Sequence, residues 1–424
     1  VVWYVEYNMN LSMRSINWKL IENIISLFAI KGFQYILNFI TFPFLVRVLN
    51  VDGFGQLSFV IGVVQYFLLF SNFGFDLSAP KAIARHDKGT QCSYWFSSIY
   101  FAKILILVIL TLIFGIFVGV LYQYFHIPWL LYCVVYLNVI GTALFPIWFF
   151  QGIQQMRYIT LVSTIGKIIS VGGVFLFVST SADILWAAGF LSCSNMVAAL
   201  LSWIILWRMF PGLLRRVKWK QIKRAICDSF PYFTSMIAIN MYTNTTIVLL
   251  GLFSSEYAVG LYSASIRIID AIRGALNPIV DSLYPYIVRT AKESKNQALI
   301  ILRKLFWRLS IGTFFVSLGL FFTAGYIVHL VMGSNFEDAV PIFRVLSFVP
   351  TVSIASTVLG FLGLITFGYQ KQFTYILCMA AIFNLIIVYP LIYYFDGLGA
   401  ALALLLSELS VFIMVEILNN KLLR

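Results

Sequence analysis

From about residue 24 onward, long apolar stretches alternate with short polar interruptions. A helix that crosses a bilayer needs about 20 largely apolar residues. Polar, proline or glycine positions separate twelve stretches of this kind, so the pattern predicts twelve transmembrane helices. Their approximate ranges are 24–46, 57–75, 94–122, 129–150, 159–178, 184–207, 230–252, 261–288, 309–332, 341–366, 373–394 and 398–418.

The composition agrees with a lipid environment. Hydrophobic residues make up 61% of the 424-residue chain and charged residues only 11%, whereas a soluble domain carries about 25% charged residues. Such a chain could not cover a globular surface with polar groups, so a soluble enzyme is excluded. The predicted fold class is an all-α integral membrane protein whose first partner is the lipid bilayer.

The net charge of +13 is explained mainly by topology. Lys and Arg concentrate in cytoplasmic loops. If the N-terminus is cytoplasmic, 22 of the 29 basic residues fall on the cytoplasmic side, two on the other side and five within predicted helices. This distribution predicts that both termini are cytoplasmic. A nucleic-acid partner is not expected.

A basic segment at 208–229 divides the helices into six and six. The predicted organisation is a cytoplasmic N-terminal segment (1–23), an N-lobe (24–207), a basic linker (208–229), a C-lobe (230–418) and a cytoplasmic tail (419–424). Two weak internal matches support a repeat. Gly55-Gln-Leu-Ser resembles Gly260-Leu-Tyr-Ser, and Asp183-x-x-x-Ala-Ala resembles Asp396-x-x-x-Ala-Ala.

The eighth predicted helix carries charges that should lie at membrane depth, where ionisable residues usually face a bundle interior or a water-filled cavity. Its polar residues fall within an arc of about 120°: Ser263, Arg267, Asp270, Arg273, Gly274, Asn277 and Asp281. Arg267 and Asp270, one turn apart, are expected to neutralise each other partly. Because Arg273 and Asp281 lack an obvious local partner, a stripe lining a hydrophilic passage is favoured over a structural network.

Similar polar faces occur on the first and fifth predicted helices. The first contains Asn23, Lys31, Gln34, Asn38 and Thr41, and the fifth contains Thr160, Ser163, Lys167 and Ser170. Lys31 and Lys167 are expected to face a lumen, although snorkelling to the cytoplasmic surface is an alternative. For Lys103 snorkelling is favoured, and Asp76 is expected at the interface or as a helix cap.

Glu408 stands alone midway along the twelfth predicted helix. It fits two roles equally well, a proton- or cation-coupling carboxylate and an interhelical hydrogen-bonding group. No phosphate-binding loop or catalytic motif is present, and the five scattered cysteines form no metal-ligand pattern. No cofactor is expected, and coupling to a proton or sodium gradient stays open.

Three segments carry a family resemblance: Gly74-Phe-Asp-Leu-Ser-Ala-Pro-Lys81, Gly166-Lys167, and Gly260-Leu-Tyr-Ser-Ala264 leading to Arg267. They resemble O-antigen flippases of the multidrug/oligosaccharidyl-lipid/polysaccharide exporter superfamily. The resemblance implies two six-helix lobes around a charged central cavity in the bacterial inner membrane. It also implies translocation of undecaprenyl-pyrophosphate-linked oligosaccharide for lipopolysaccharide synthesis, by a transporter rather than an enzyme. A polymerase and a chain-length regulator of the same pathway would be further partners.

Carried over by position, Lys31, Lys167, Arg267 and Arg273 would meet the pyrophosphate or acidic sugars, with Asn38 and Asn277 beside them. Much of this positive charge would be offset by three coupling or network residues, Asp270, Asp281 and Glu408. A neutral glycan therefore also stays open as the substrate. Two rivals remain. A multidrug antiporter would favour an acidic cavity, and a membrane-embedded glycan polymerase would need a large periplasmic loop that this chain lacks.

Overall fold

The structure, a computed structural model, describes the backbone of residues 2–85, 89–125, 128–243 and 245–422. Side chains are described for residues 37–85, 89–125, 128–234, 236–237, 245–280 and 282–421. Within these ranges the regular structure is helical and no strand occurs. An all-helical chain suits a bilayer because a helix satisfies its backbone hydrogen bonds within one segment.

The helices are numbered in chain order. The first seven are α1 (Val2–Asn72), α2 (Phe75–Arg85), α3 (Thr90–Phe125), α4 (Trp129–Leu144), α5 (Ile147–Gly152), α6 (Met156–Phe177) and α7 (Ile184–Met209). The next five are α8 (Trp219–Thr243), α9 (Thr245–Phe253), α10 (Glu256–Glu293), α11 (Lys295–Phe322) and α12 (Ala324–Met332). The last three are α13 (Ala339–Leu346), α14 (Val349–Thr357) and α15 (Gln370–Leu422), with a π-helical segment, Val358–Ile365, after α14.

Among the described residues, eight helical stretches are long and apolar enough to cross a membrane. They overlap ten of the twelve predicted spans, because Leu37–Arg85 and Gln370–Lys421 each overlap two. The predicted seventh span lies in α8 and α9, and the predicted eighth lies in α10. Helices α8 and α10 are more polar, and α9 is only nine residues long. A multi-pass membrane protein is therefore confirmed, while the count of twelve and the cytoplasmic position of both ends stay predictions.

Two kinks divide the longest helices where the sequence predicts breaks between spans. Asn50 in α1 has φ 58° and Asp396 in α15 has φ 47°, values that Asn and Asp tolerate better than most residues. Each kink residue accepts a side-chain hydrogen bond, Asn50 from Asn335 at 3.0 Å and Asp396 from Ser254 at 2.8 Å. The polar side chains therefore both permit the change of direction and hold it.

Near the second kink, a further hydrogen bond fixes the beginning of α10. The hydroxyl of Tyr257 donates to the Asp338 carboxylate over 2.7 Å. This bond, followed by burial, raises the pKa of Tyr257. The phenol therefore stays protonated and remains a donor throughout the neutral pH range.

The chain separates into two compact units. The first comprises Val1–Phe44, Ser71–Ser179 and Trp186–Ser229; the second comprises Leu45–Phe70, Thr180–Leu185 and Phe230–Arg424. The segment Leu45–Phe70 thus groups with the second unit, although the sequence prediction assigns it to the N-lobe. The two-lobe division stays a prediction.

Aromatic packing forms the core of the first unit. Phe96, Trp148 and Phe149 are fully buried, and the rings of Phe96 and Phe149 meet edge to face with centroids 4.9 Å apart. Edge-to-face pairs are favoured by the ring quadrupoles beyond their burial. Against this core packs α2, where a Cβ on Gly152 of α5 would lie 2.6 Å from the Cβ of Ile83. The glycine therefore permits the close approach of α2 and α5.

The second unit contains a still closer helix crossing, built by the two glycines of the proposed repeat. A Cβ on Gly55 of α1 would overlap the carbonyl oxygen of Glu256 and lie 2.8 Å from the amide nitrogen of Gly260. A Cβ on Gly260 of α10 would overlap the carbonyl oxygen of Val51. Gly55 and Gly260 occupy equivalent positions in the two sequence matches, and they lie at the same close backbone contact.

Candidate functional site

The polar stripe of α10 changes its environment along the helix. Ser263 is buried, Arg267 and Arg273 are partly buried, and Asp270 and Asn277 are exposed. The side chain of Asp281 lies outside the described residues. The predicted stripe therefore begins inside the packed second unit and opens, from Asp270 onward, onto accessible space.

Arg273 lies at the centre of a polar network that joins three helices. Its guanidinium Nη2 donates to Oε1 of Glu408 on α15 at 2.9 Å and to Oγ of Ser353 on α14 at 3.0 Å. Its Nη1 lies 3.6 Å from Oδ1 of Asp270, one turn back on α10. Arg273 and Glu408, which the sequence suggests as isolated charges, are thus partners of one another.

The burial of Glu408 explains why its carboxylate requires a charged hydrogen-bonding partner. Glu408 is 2% exposed, and an ion removed from water costs several kcal/mol unless an opposite charge and hydrogen bonds compensate it. The guanidinium supplies both because it is planar and has five donors. This geometry corresponds to the interhelical alternative for Glu408. Its part in ion coupling stays a prediction.

Arg267 and Asp270, expected to neutralise each other partly, do attract each other, but from beyond ion-pair distance. Asp270 is three residues from both arginines, and it pairs with Arg273. The Arg267 guanidinium instead lies over the ring of Phe54, 5.3 Å from the ring centroid. An aromatic face attracts a partly desolvated guanidinium by a cation–π interaction, so Arg267 has a favourable environment without the carboxylate contact.

A cavity of about 370 Å³ opens beside this network within the second unit. Asp270, Arg273, Asn277, Ser353 and Thr357 line it with polar groups. Leu276, Val280, Pro350 and Ile354 add apolar surface. The volume is near the lower end of ligand pockets, which span roughly 300–1,000 Å³. Ser353 and Thr357 are site residues that the sequence prediction missed; their hydroxyls in an otherwise apolar span were the available signal.

A segment of unusual backbone geometry follows the part of α14 that lines the cavity. The π-helical segment Val358–Ile365 begins directly after Thr357. Within it, the carbonyl oxygen of Leu359 accepts a hydrogen bond from Nδ2 of Asn419 at 3.2 Å. π-Helical turns are rare and frequently occur at functional sites, so this position is consistent with a ligand-binding role for the cavity.

The remaining predicted site residues belong to the first unit. Asn38 on α1 is exposed and Lys167 on α6 is partly buried, whereas the side chain of Lys31 lies outside the described residues. Gly166, next to Lys167, allows α6 to approach α7 closely, because a Cβ there would overlap the carbonyl oxygen of Ser194. The sites of Lys31, Asn38 and Lys167 stay predictions.

Lys103 on α3 contradicts its prediction. It is 2% exposed and therefore does not snorkel. Because α3 begins at Thr90, Lys103 lies thirteen residues, or about 20 Å, inside the helix at 1.5 Å per residue. The carboxylate of Asp76 attracts the Lys103 ammonium from beyond ion-pair distance, and it also accepts a hydrogen bond from Nδ2 of Asn72. Asp76 itself is partly buried and lies in the first turn of α2.

This arrangement makes Asp76→Asn a destabilising substitution. The amide retains a hydrogen-bond acceptor for Asn72 but no longer compensates the buried ammonium, so we expect a loss of about 2 kcal/mol in the free energy of unfolding. Equilibrium unfolding in mixed micelles measures it. Adding Lys103→Met to Asp76→Asn should recover most of the loss, whereas an unchanged stability of Asp76→Asn alone would contradict the charge pairing.

Structural comparison finds the same fold in two solved membrane proteins. The lipid II flippase MurJ in its inward closed conformation superposes with a TM-score of 0.72 at 13% identity, covering 93% of this chain and 87% of MurJ. A multidrug resistance MATE family transporter in an inward-facing conformation gives a TM-score of 0.67 at 12% identity, with 92% and 94% covered. The chain therefore has the fold of these two proteins, as the sequence resemblance implies.

Sequence comparison defines the family. Residues 20–291 match the family model described as polysaccharide biosynthesis protein, and the chain belongs to this family. Two relatives carry the name "Putative O-antigen transporter". The protein of Escherichia coli (strain K12) is 31% identical, over 95% of this chain and 97% of its own length. The protein of Shigella dysenteriae is 25% identical, over 91% and 96%.

Proposed function

We propose that this protein is a flippase for undecaprenyl-pyrophosphate-linked oligosaccharide, the repeat unit of O-antigen. It moves the headgroup and sugars from the cytoplasmic to the periplasmic leaflet of the bacterial inner membrane, for lipopolysaccharide or surface polysaccharide synthesis. The observation that carries the proposal is the 31% identity to a named O-antigen transporter along 95% of the chain. The fold shared with a lipid flippase supports it.

The mechanism we propose is alternating access. The sugars and pyrophosphate enter a charged cavity while the lipid tail stays in the bilayer, and a conformational change then exposes them on the other side. Charged groups at membrane depth are costly and usually functional, and the Arg273–Glu408–Asp270 network is such a group. Lys31, Lys167 and Arg267 are the candidate partners of the pyrophosphate, since cations suit phosphate.

In this proposal a proton or cation gradient across the membrane drives transport, and Glu408 is the residue through which it acts. A proton or cation that neutralises Glu408 would weaken its bond to Arg273 and change the contact between α10 and α15. In this proposal the polymerase and chain-length regulator act on the product after it reaches the periplasmic leaflet.

A reconstitution assay tests the function. Proteoliposomes containing undecaprenyl-pyrophosphate oligosaccharide are treated with an impermeant reagent that oxidises exposed sugars. Protein-free vesicles should expose about half of the glycan, the share of one leaflet, whereas the protein should bring nearly all of it to the reagent. If the protected half remains after verified reconstitution, the proposal is wrong.

A gradient-driven multidrug antiporter is the second candidate, because the MATE fold is shared and Glu408 and Asp270 are acidic groups of the kind that cationic drugs prefer. Loss of the gene discriminates between the two. A flippase mutant should accumulate lipid-linked repeats and lack surface glycan, with unchanged drug susceptibility. Increased susceptibility with normal surface glycan would instead indicate the antiporter.

A further inference from the structure

Two acidic residues and one basic residue carry the charges around the cavity of the second unit, and one of the acids is more exposed than the base. The side chain of Asp270 is 58% exposed and that of Arg273 only 26%. Glu408 is buried behind Arg273. The charged atoms that an occupant of the cavity meets first are therefore the carboxylate oxygens of Asp270.

Arg273 is already engaged on three sides. Its guanidinium contacts Glu408, Asp270 and Ser353. A phosphate group that took over the donors of Nη2 would have to displace Glu408, and this displacement would leave a buried anion without compensation. Arg273, which the sequence suggests as a phosphate ligand, thus already joins three helices of the cavity wall.

The remaining lining suits uncharged hydroxyl groups. The Asn277 amide and the hydroxyls of Ser353 and Thr357 can each donate and accept hydrogen bonds, and the Asp270 carboxylate accepts them strongly. Leu276 and Val280 supply an apolar face of the kind that packs against the C–H surface of a sugar ring. At about 370 Å³, the cavity accommodates part of an oligosaccharide.

We infer that this cavity is the glycan subsite of the transporter and that it selects sugars without negative charge. The inference rests on the proposed function and refines it. Hydroxyl groups of the repeat unit donate to Asp270, while a carboxylate-bearing sugar is repelled by it. The pyrophosphate is bound elsewhere on the chain.

The experiment compares two substrates and two variants in the reconstituted flipping assay. The substrates are undecaprenyl-pyrophosphate disaccharides that differ only in a neutral hexose or the corresponding uronic acid. The test variant is Asp270→Asn, whose exposed position favours normal folding, checked by its thermal unfolding midpoint. The matched control is Asp338→Asn, which makes the same charge change outside the cavity and keeps an acceptor for Tyr257.

The wild-type protein should move the neutral lipid about tenfold faster than the acidic one, the size of effect that one charge exerts at several ångströms in a partly polar medium. Asp270→Asn should reduce this ratio to about threefold or less and slow the neutral lipid itself, because a strong acceptor is lost. Asp338→Asn should retain the wild-type ratio.

The outcomes separate the two proposals. Equal transport of both lipids by the wild type, a preference for the acidic one, or an unchanged ratio in Asp270→Asn overturns the glycan subsite while leaving the flippase intact. If the wild type moves neither lipid, the proposed function fails and the subsite with it.

Discussion

Replacement of Arg273 by methionine is expected to lower the free energy of unfolding by about 3–5 kcal/mol, the usual effect of removing one partner of a buried ion pair. Glu408 would keep its burial but lose the donor 2.9 Å away. Ser353 would lose its bond to the guanidinium as well. Equilibrium unfolding in mixed micelles measures the loss, and the flipping assay should show little transport.

The control is the double variant Arg273→Met with Glu408→Met. Two apolar side chains of similar volume can replace a buried ion pair at little cost or even with a gain in stability, so the double variant should unfold near the wild-type midpoint. Transport should nevertheless stay low, because the network is gone. A single variant as stable as the wild type would show that Glu408 does not depend on Arg273.

This network marks the limit of what the sequence alone predicts. The polar stripe of α10 follows from helical periodicity, because its members are close in sequence and share one helix face. The Arg273–Glu408 contact joins residues 135 positions apart, and no local pattern encodes which helices are neighbours. The same reasoning explains why the sequence did not predict the ion pair of Asp270 with Arg273, since Asp270 is equally distant in sequence from Arg267 and Arg273.

Apolar length predicted the membrane character and most of the spans, because hydrophobicity over some 20 residues is a strong local signal. It did not predict whether a polar interruption is a loop or a kink. At Asn50 and Asp396 the helical backbone continues on both sides of a single residue with positive φ. Lys103 illustrates a related limit, since its burial depends on where α3 begins and on the position of Asp76.

The internal matches acquire a physical meaning from the structure. Gly55 and Gly260 lie 205 residues apart and meet at one helix crossing. The two aspartates of the other match have different structural roles. Asp183 forms a capping box with Thr180, whereas Asp396 forms the kink of α15. In both copies the following alanine pair is buried, so small size is the property that the two segments share.

Gly260→Ala is accordingly expected to cost about 3 kcal/mol in the free energy of unfolding, the upper end of the usual range for overpacking. The added Cβ would overlap the carbonyl oxygen of Val51, which is backbone and cannot rotate away as a side chain could. Small residues let helix backbones approach closely in membranes, so α1 and α10 would have to separate. Because α10 also carries Asp270 and Arg273, transport should fall together with stability.

Gly312→Ala is the matched control, since it lies within α11 of the same unit and its Cβ would meet nothing within 4 Å. Alanine is a better helix former than glycine by about 1 kcal/mol, so this variant should be as stable as the wild type or slightly more stable. Both unfolding midpoints are measured in the same micelles. Equal stability of Gly260→Ala and Gly312→Ala would contradict the close crossing, because a real backbone contact there must penalise the methyl group at one position and not at the other.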